Sequence, residues 1–62
     1  MNIDVLRKEF QEILTLEERA EQFYSHYIDQ IKDGEIKKTL GLIRNEERLH
    51  IEIAKKLIRC VS

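Results

Sequence analysis

The sequence contains no proline, no tryptophan, two glycines and one cysteine among its 62 residues. Proline and glycine supply most of the tight turns of sheet sandwiches and barrels, so their scarcity argues against a β fold. The lone Cys60 excludes an internal disulfide framework and a zinc site made only of cysteines. No apolar stretch approaches the roughly 20 residues that a membrane-spanning helix needs, so we expect no membrane association.

The charges of the chain are balanced rather than concentrated. Eleven Lys and Arg residues oppose 12 Asp and Glu residues, giving a formal net charge of −1 with both signs interspersed. Nucleic-acid binding requires a concentrated basic surface, so we expect no nucleic-acid partner. The first residues also lack the long apolar core of a secretory signal, and a free thiol suits a reducing compartment. We therefore expect a cytoplasmic protein.

The length of the chain limits the core that it can form. A chain of this size is one domain at most, and alone it buries only about 60% of its unfolded surface. Such chains usually need a disulfide, a metal or a partner chain for solid stability. Because a disulfide is excluded, we ask first whether a metal ion or a partner chain stabilises the fold.

The composition favours helix, and one interruption divides the chain. Glu, Lys, Leu and Ile are abundant, and Asp33-Gly34 is a typical point for one helix to stop and another to start. We predict a single half-domain over residues 1–62, all-α, with a helix over about 3–32, a turn at 33–34 and a helix over about 35–60. The two helices would form an antiparallel hairpin.

Apolar residues recur at alternating steps of three and four along both predicted helices. This is the spacing of helices that pack at shallow angles in bundles and coiled coils. The flanking apolar residues make the stripe too wide for two helices to cover, so we predict a homodimer that closes a four-helix bundle. The seam positions are 3, 6, 10, 13, 17, 20, 24, 27 and 31, then 36, 40, 43, 47, 50, 54, 57 and 61.

Three seam positions carry ionisable side chains: Glu17, Glu47 and His50. A hairpin that turns near residue 34 brings all three to one level, and the spacing of Glu47 and His50 puts these two on one helix face. A two-fold dimer doubles the set to four carboxylates and two imidazoles. Two divalent cations would neutralise the four carboxylates. This ligand set, a Glu on one helix and Glu-x-x-His on the next, is that of di-iron carboxylate bundles.

The residues around these positions resemble a known family. The segment Glu17-Glu18-Arg19-Ala20-Glu21-Gln22-Phe23-Tyr24, the turn near Asp33 and the segment Glu46-Glu47-Arg48-Leu49-His50 are similar to the rubrerythrin branch of the ferritin-like superfamily. The similarity runs from about Leu14 to Leu57 without a gap. The family domain has four helices in one chain, whereas this chain has two. In this respect it is similar to the two-helix ferritin-like proteins carried inside bacterial encapsulin shells, but no shell-targeting tail is evident.

The resemblance implies a di-iron site with Glu17, Glu47 and His50 as ligands, two Fe ions per dimer, and O₂ or peroxide as the small substrate. The expected activity is that of a ferroxidase or a peroxide-scavenging oxidoreductase. Tyr24 is the candidate donor to a ligand carboxylate. Glu21 and Glu46 are candidates for extra ligands or for the path by which ions reach the site, although a solvated helix face is the default for both. No Cys-x-x-Cys pair is present to supply electrons.

Two other functions fit the same residues. The chain could be a non-enzymatic dimerisation or interaction module in which the polar triad fixes helix register. It could also be a redox-silent dimer that holds Mn²⁺ or Zn²⁺, because the ligand types do not select iron. The sequence fixes neither the metal nor the oxidant, the electron donor, any assembly beyond a dimer, or a role for Cys60.

Overall fold

The computed structural model describes residues 2–62 and consists of two helices joined by a short turn. Helix α1 spans Ile3–Ile28 and helix α2 spans Gly34–Cys60. The described residues contain no strand, and the two helices pack against each other in a rod of 47 × 14 × 14 Å. The predicted helical hairpin is therefore confirmed for this part of the chain, and Met1 of the predicted domain lies outside it. Neither helix has a segment long and apolar enough to cross a bilayer.

Both helices begin at a side-chain cap. Asn2 Oδ1 accepts a hydrogen bond from Asp4 N at 2.8 Å, and Asp33 Oδ1 accepts from both Glu35 N and Ile36 N at 3.0 Å. These caps satisfy backbone N–H groups that the first turn of a helix leaves without a partner. The Asp33-Gly34 pair thus starts α2 as the sequence indicates, with Gly34 as the first helical residue.

Helix α1 ends at Ile28 rather than at about residue 32. Gln30 N and Ile31 N both donate to Tyr27 O, at 3.0 and 3.1 Å, so the chain tightens into a turn after Asp29. The following residues must extend for Asp33 to reach the start of α2, and Asp33 does so with φ −66° and ψ 119°. The apolar spacing continues through Ile31, which is why the pattern alone predicts a longer helix.

The contact between the helices forms a thin core. Among residues 2–62, only Ile28 and Ala54 are buried, with 7% and 3% of their surfaces exposed. At the open end of the hairpin, Arg7 Nε and Nη2 donate to Val61 O at 3.1 and 2.6 Å, which ties the two chain ends together. The remaining inward-facing apolar residues are half-buried: Leu6, Phe10, Leu14, Tyr24, Leu40, Ile43, Ile51 and Ile58.

One side of the hairpin is apolar and exposed. We call it the apolar face: Ile13, Leu16, Phe23 and Tyr27 on α1, and Leu42, Leu49, Ile53 and Leu57 on α2, each 40–65% exposed. At about 100° per residue, these residues are rotated about their helix axes by roughly 40–160° from the inward-facing positions 17 and 47, and the direction of rotation is the same on both helices. In an antiparallel pair, rotations in the same direction place side chains on the same side of the hairpin. Residues rotated in the opposite direction form the polar face: Glu21, Ser25, Arg44 and Arg48.

Candidate metal centre

The structure brings Glu17 of α1 together with Glu47 and His50 of α2. The ligand atoms of these three residues all lie within 4.8 Å of one another. Glu47 and His50 share a face of α2 because they are three residues apart, slightly less than one helical turn. The antiparallel contact sets the facing level on α1, where Glu17 is the residue that points inward. The predicted grouping of these three residues is thus present at mid-height of the rod.

The spacing within this triad is somewhat wider than a single small cation requires. His50 Nδ1 and Glu17 Oε2 are 3.4 Å apart. Two ligands on one ion at bond lengths of about 2.1 Å are separated by roughly 3 to 4 Å. The widest spacing in the triad, 4.8 Å, exceeds that range, so a side chain would rotate on binding. His50 is free to do so, because 51% of its side chain is exposed.

Glu47 is the most constrained member of the triad. Its pKa is raised, first because its carboxyl lies within hydrogen-bonding reach of the Glu17 carboxylate, and then by burial and by the negative charge of Glu17. His50 acts in the opposite direction. Among the described residues, no donor reaches the buried Glu47 Oε2. A buried carboxylate oxygen without a donor is unfavourable unless a proton or a cation satisfies it.

The exposed fraction of the triad side chains increases from Glu17 on α1 to His50, which lies next to the apolar face. Glu17 has 24% of its side chain exposed, against 51% for His50. His50 lies about 60° round α2 from Glu47, in the rotational sense of the apolar face. The triad is therefore lined by helix on one side and open on the side that Ile53 and Leu57 flank. A second chain packed on this face would approach the triad directly.

Glu21 lies with a different set of residues from the triad. Ser25 Oγ donates to Glu21 Oε1 at 2.8 Å, and Arg48 Nε donates to the same oxygen at 3.2 Å across the helix contact. The Ser25 hydrogen bond is the largest cause of a lowered Glu21 pKa, with Arg48 and Arg44 adding to it and burial opposing it. The carboxylate of Glu21 is thus held in its ionised form and is already hydrogen-bonded to Ser25 and Arg48 on the polar face. Its part as an extra ligand or in ion uptake stays a prediction.

Two further predicted residues lie near the triad. Tyr24 is half-buried, and its ring stands edge-on to Phe23 with centroids 5.5 Å apart and planes at 87°. Glu46 is exposed, and its charge contributes to the raised pKa of Glu47. The role of Tyr24 as a donor to a ligand and that of Glu46 in ion uptake remain predictions.

Sequence reasoning missed Ser25 and Arg48 as neighbours of the site. A signal for the Ser25 contact is present, since Glu21 and Ser25 are four residues apart on one helix face. The Arg48 contact has no such local signal. It depends on how far each helix is rotated about its own axis at the contact, which the spacing of apolar residues does not specify.

Comparisons with protein-family models, with curated proteins and with solved structures give no match. The ferritin-like resemblance therefore rests on the residues quoted above. The geometry supports the class of site, a carboxylate and imidazole group on a helical hairpin, independently of that resemblance.

Proposed function

We propose that this protein is a ferritin-like, rubrerythrin-like metal-binding homodimer. Glu17, Glu47 and His50 of each chain would hold iron, with two Fe ions shared across the dimer. Bound iron would supply redox chemistry towards O₂ or peroxide, as in a ferroxidase or a peroxidase-type oxidoreductase. Mn²⁺ or Zn²⁺ at the same ligands would give a redox-silent variant of the same dimer.

The convergence of the triad is the observation that carries the proposal. Two carboxylates and an imidazole meet on a contact seam whose other members are apolar, with ligand atoms within 4.8 Å. Without a cation, the Glu47 carboxyl is driven towards its protonated form by Glu17, and its inner oxygen lacks a donor. Carboxylate oxygen and neutral imidazole are the ligands of non-haem iron sites. The donor set therefore fits the proposed metal.

The second chain is proposed from the apolar face. Residues such as Leu49, Leu16 and Phe23 are 65%, 64% and 56% exposed, which is far more apolar surface than a small monomer normally leaves uncovered. The core within one hairpin is too thin to stabilise it strongly. Face-to-face packing of two hairpins would cover these residues as a four-helix bundle and surround both triads with apolar side chains.

Within this dimer the protein would supply charge balance, proton handling and exclusion of water. The four carboxylates of Glu17 and Glu47 from two chains balance two divalent cations. Loading requires Glu47 to lose its proton and His50 to be neutral, so the site binds metal more tightly as pH rises. The surrounding apolar residues keep the centre in a low-dielectric environment, which strengthens its electrostatic interactions.

The proposal is tested by adding Fe²⁺ without oxygen, measuring bound iron, and then admitting air. Wild type is expected to bind one Fe per chain and to develop near-ultraviolet absorbance on exposure to air. Glu17→Ala and His50→Ala should lose both properties. Glu18→Ala and His26→Ala are matched controls, because both residues are exposed and neither belongs to the triad. Both controls should behave as wild type.

Other outcomes separate the alternatives. Stoichiometric metal binding through the triad without absorbance change would assign a redox-silent metal dimer. Triad variants that bind as much iron as wild type would contradict the proposal. A dimer that binds no metal would favour the interaction module, for which the exposed apolar face is the supporting observation.

A further inference from the structure

Apart from the contact within the triad, few side-chain hydrogen bonds join the described parts of α1 and α2. Among the described residues, Arg7 bonds to Val61 O at the open end, and Arg48 bonds to Glu21 at mid-height. The second hydrogen bond lies one helical turn from Glu17 and one residue from Glu47. It therefore lies closest to the candidate metal centre.

We propose that Glu21, Ser25 and Arg48 form a register clasp that positions Glu17 opposite Glu47 and His50. This inference rests on the proposed function for its metal-binding consequence, although the clasp itself is a property of the hairpin. These are positioning residues: they would not touch the metal. They would fix the axial alignment of the helices on the polar face, while the triad opens towards the apolar face.

The geometry explains why one carboxylate can fix the alignment. Ser25 Oγ holds Glu21 Oε1 from within α1 at 2.8 Å, so the carboxylate has a defined position before Arg48 reaches it. Arg48 Nε then contacts the same oxygen at 3.2 Å. A slip of one residue along either helix moves an atom by about 1.5 Å. Such a slip would break the contact with Arg48 and would also separate Glu17 from His50.

The packing between the helices offers little alternative control of alignment. Close packing of buried side chains can fix an alignment, but among the described residues the buried core consists of Ile28 and Ala54 alone. Ala54 is small and lies about two turns from Glu47. The metal centre, by contrast, needs its ligands placed to within a fraction of an ångström.

The clasp is too exposed to act mainly through folding stability. The side chain of Arg48 is 55% exposed and that of Glu21 is 21% exposed. Ion pairs in such surroundings contribute little to the free energy of unfolding. A positioning role and a stability role therefore predict different measurements: the first changes metal affinity and ligand geometry, and the second changes the thermal midpoint.

The test measures binding of Co²⁺ alone to the full chain, by titration and by the visible absorption of the bound ion. The variants are Glu21→Gln, Arg48→Gln and the double variant that carries both changes. The matched control is Glu52→Gln, because Glu52 pairs with Lys55 at 3.8 Å within α2 and cannot align two helices. In the metal-free protein, the nuclear Overhauser contact between the Glu17 and His50 side chains reports the register.

Both single variants are expected to bind Co²⁺ about threefold more weakly, because a largely exposed ion pair favours one alignment of the helices only modestly. Their absorption spectra should change and their Glu17–His50 contact should weaken, while the thermal midpoint moves little. The double variant should bind no more weakly than either single variant, because the first change already breaks the contact between the helices, and Glu52→Gln should match wild type. Single variants with wild-type affinity, spectrum and Glu17–His50 contact would overturn the clasp, as would losses that add in the double variant.

The two proposals fail separately. If wild type binds no Co²⁺, the proposed function is contradicted, and the Glu17–His50 contact in the metal-free variants alone decides the clasp. Loss of that contact in Glu21→Gln but not in Glu52→Gln would support the clasp. Retention of the contact in both variants would overturn it.

Discussion

Glu47 contributes one component of the response of the metal-free protein to pH. Its carboxyl faces Glu17, which raises its pKa above the ordinary value of 4.5. For an acid with a raised pKa, the folded state holds the proton more tightly than the unfolded chain does. The contribution of Glu47 to the free energy of unfolding therefore falls as pH rises from about 4.5 through the raised pKa, and this stabilisation is present below that window.

Glu47→Gln should remove this dependence, because a neutral amide can donate to Glu17 at every pH. We expect the metal-free variant to be more stable than wild type near neutral pH by on the order of 1 kcal/mol, the low end for relieving a partly buried charge. Urea unfolding at fixed protein concentration from about pH 4 to about pH 7 measures the difference. Parallel pH curves for variant and wild type would contradict the assignment.

Single residues also show what the sequence could predict about the site. Glu17, Glu47 and His50 stand out because they interrupt an apolar repeat, and hairpin symmetry about residue 34 places them at one level. The contact of Glu21 with Arg48 was not predictable in the same way. Whether that carboxylate faces the triad or Arg48 depends on a rotation of about 40° round α1, which a spacing pattern does not resolve.

At the scale of helices, Gly41 is a weak point in α2 that packing does not require. A Cβ built on Gly41 meets no atom within 4 Å, and its φ is not in the left-handed region. Glycine in a helix interior costs about 0.5–1 kcal/mol relative to alanine, because it loses more backbone entropy on folding.

Gly41→Ala should therefore raise the free energy of unfolding by about 0.5–1 kcal/mol without changing metal binding. Thermal or denaturant unfolding of metal-free protein checks the first part, and an Fe²⁺ titration checks the second. A destabilised variant would show that a surface outside the hairpin closes on this position.

The helices themselves were largely predictable, and their ends less so. The start of α2 follows from Asp33, a strong capping residue directly before helix-forming sequence. The end of α1 does not follow from the apolar repeat, because Ile31 continues the spacing although its N–H bonds to Tyr27 O within the turn. The hydrogen-bonded turn at Tyr27 O, rather than helix propensity, places that boundary.

At the scale of the whole molecule, the apolar face predicts a second chain. Ile53 is 54% exposed on this face, whereas Gln11 is exposed about 120° round α1 from Glu17, in the rotational sense of the polar face. Ile53→Glu and Gln11→Glu each place one negative charge at an exposed helix position. They therefore separate a loss of dimer contacts from a general effect of charge.

Ile53→Glu is expected to weaken dimerisation by at least tenfold, since it places a charge in an apolar contact, and to lower metal affinity with it. Gln11→Glu should leave both properties unchanged. Sedimentation equilibrium over a range of protein concentrations measures the association constant. If the two variants had equal association constants, the apolar face would not be the dimer interface.

Native mass spectrometry of the protein after anaerobic Fe²⁺ loading tests the central claim most directly, because it counts chains and ions in the same particle. The account predicts a species of two chains with two iron ions, which Glu17→Ala and His50→Ala lose and Glu18→Ala keeps. A monomer without metal, or iron retained equally by the triad variants, would contradict it.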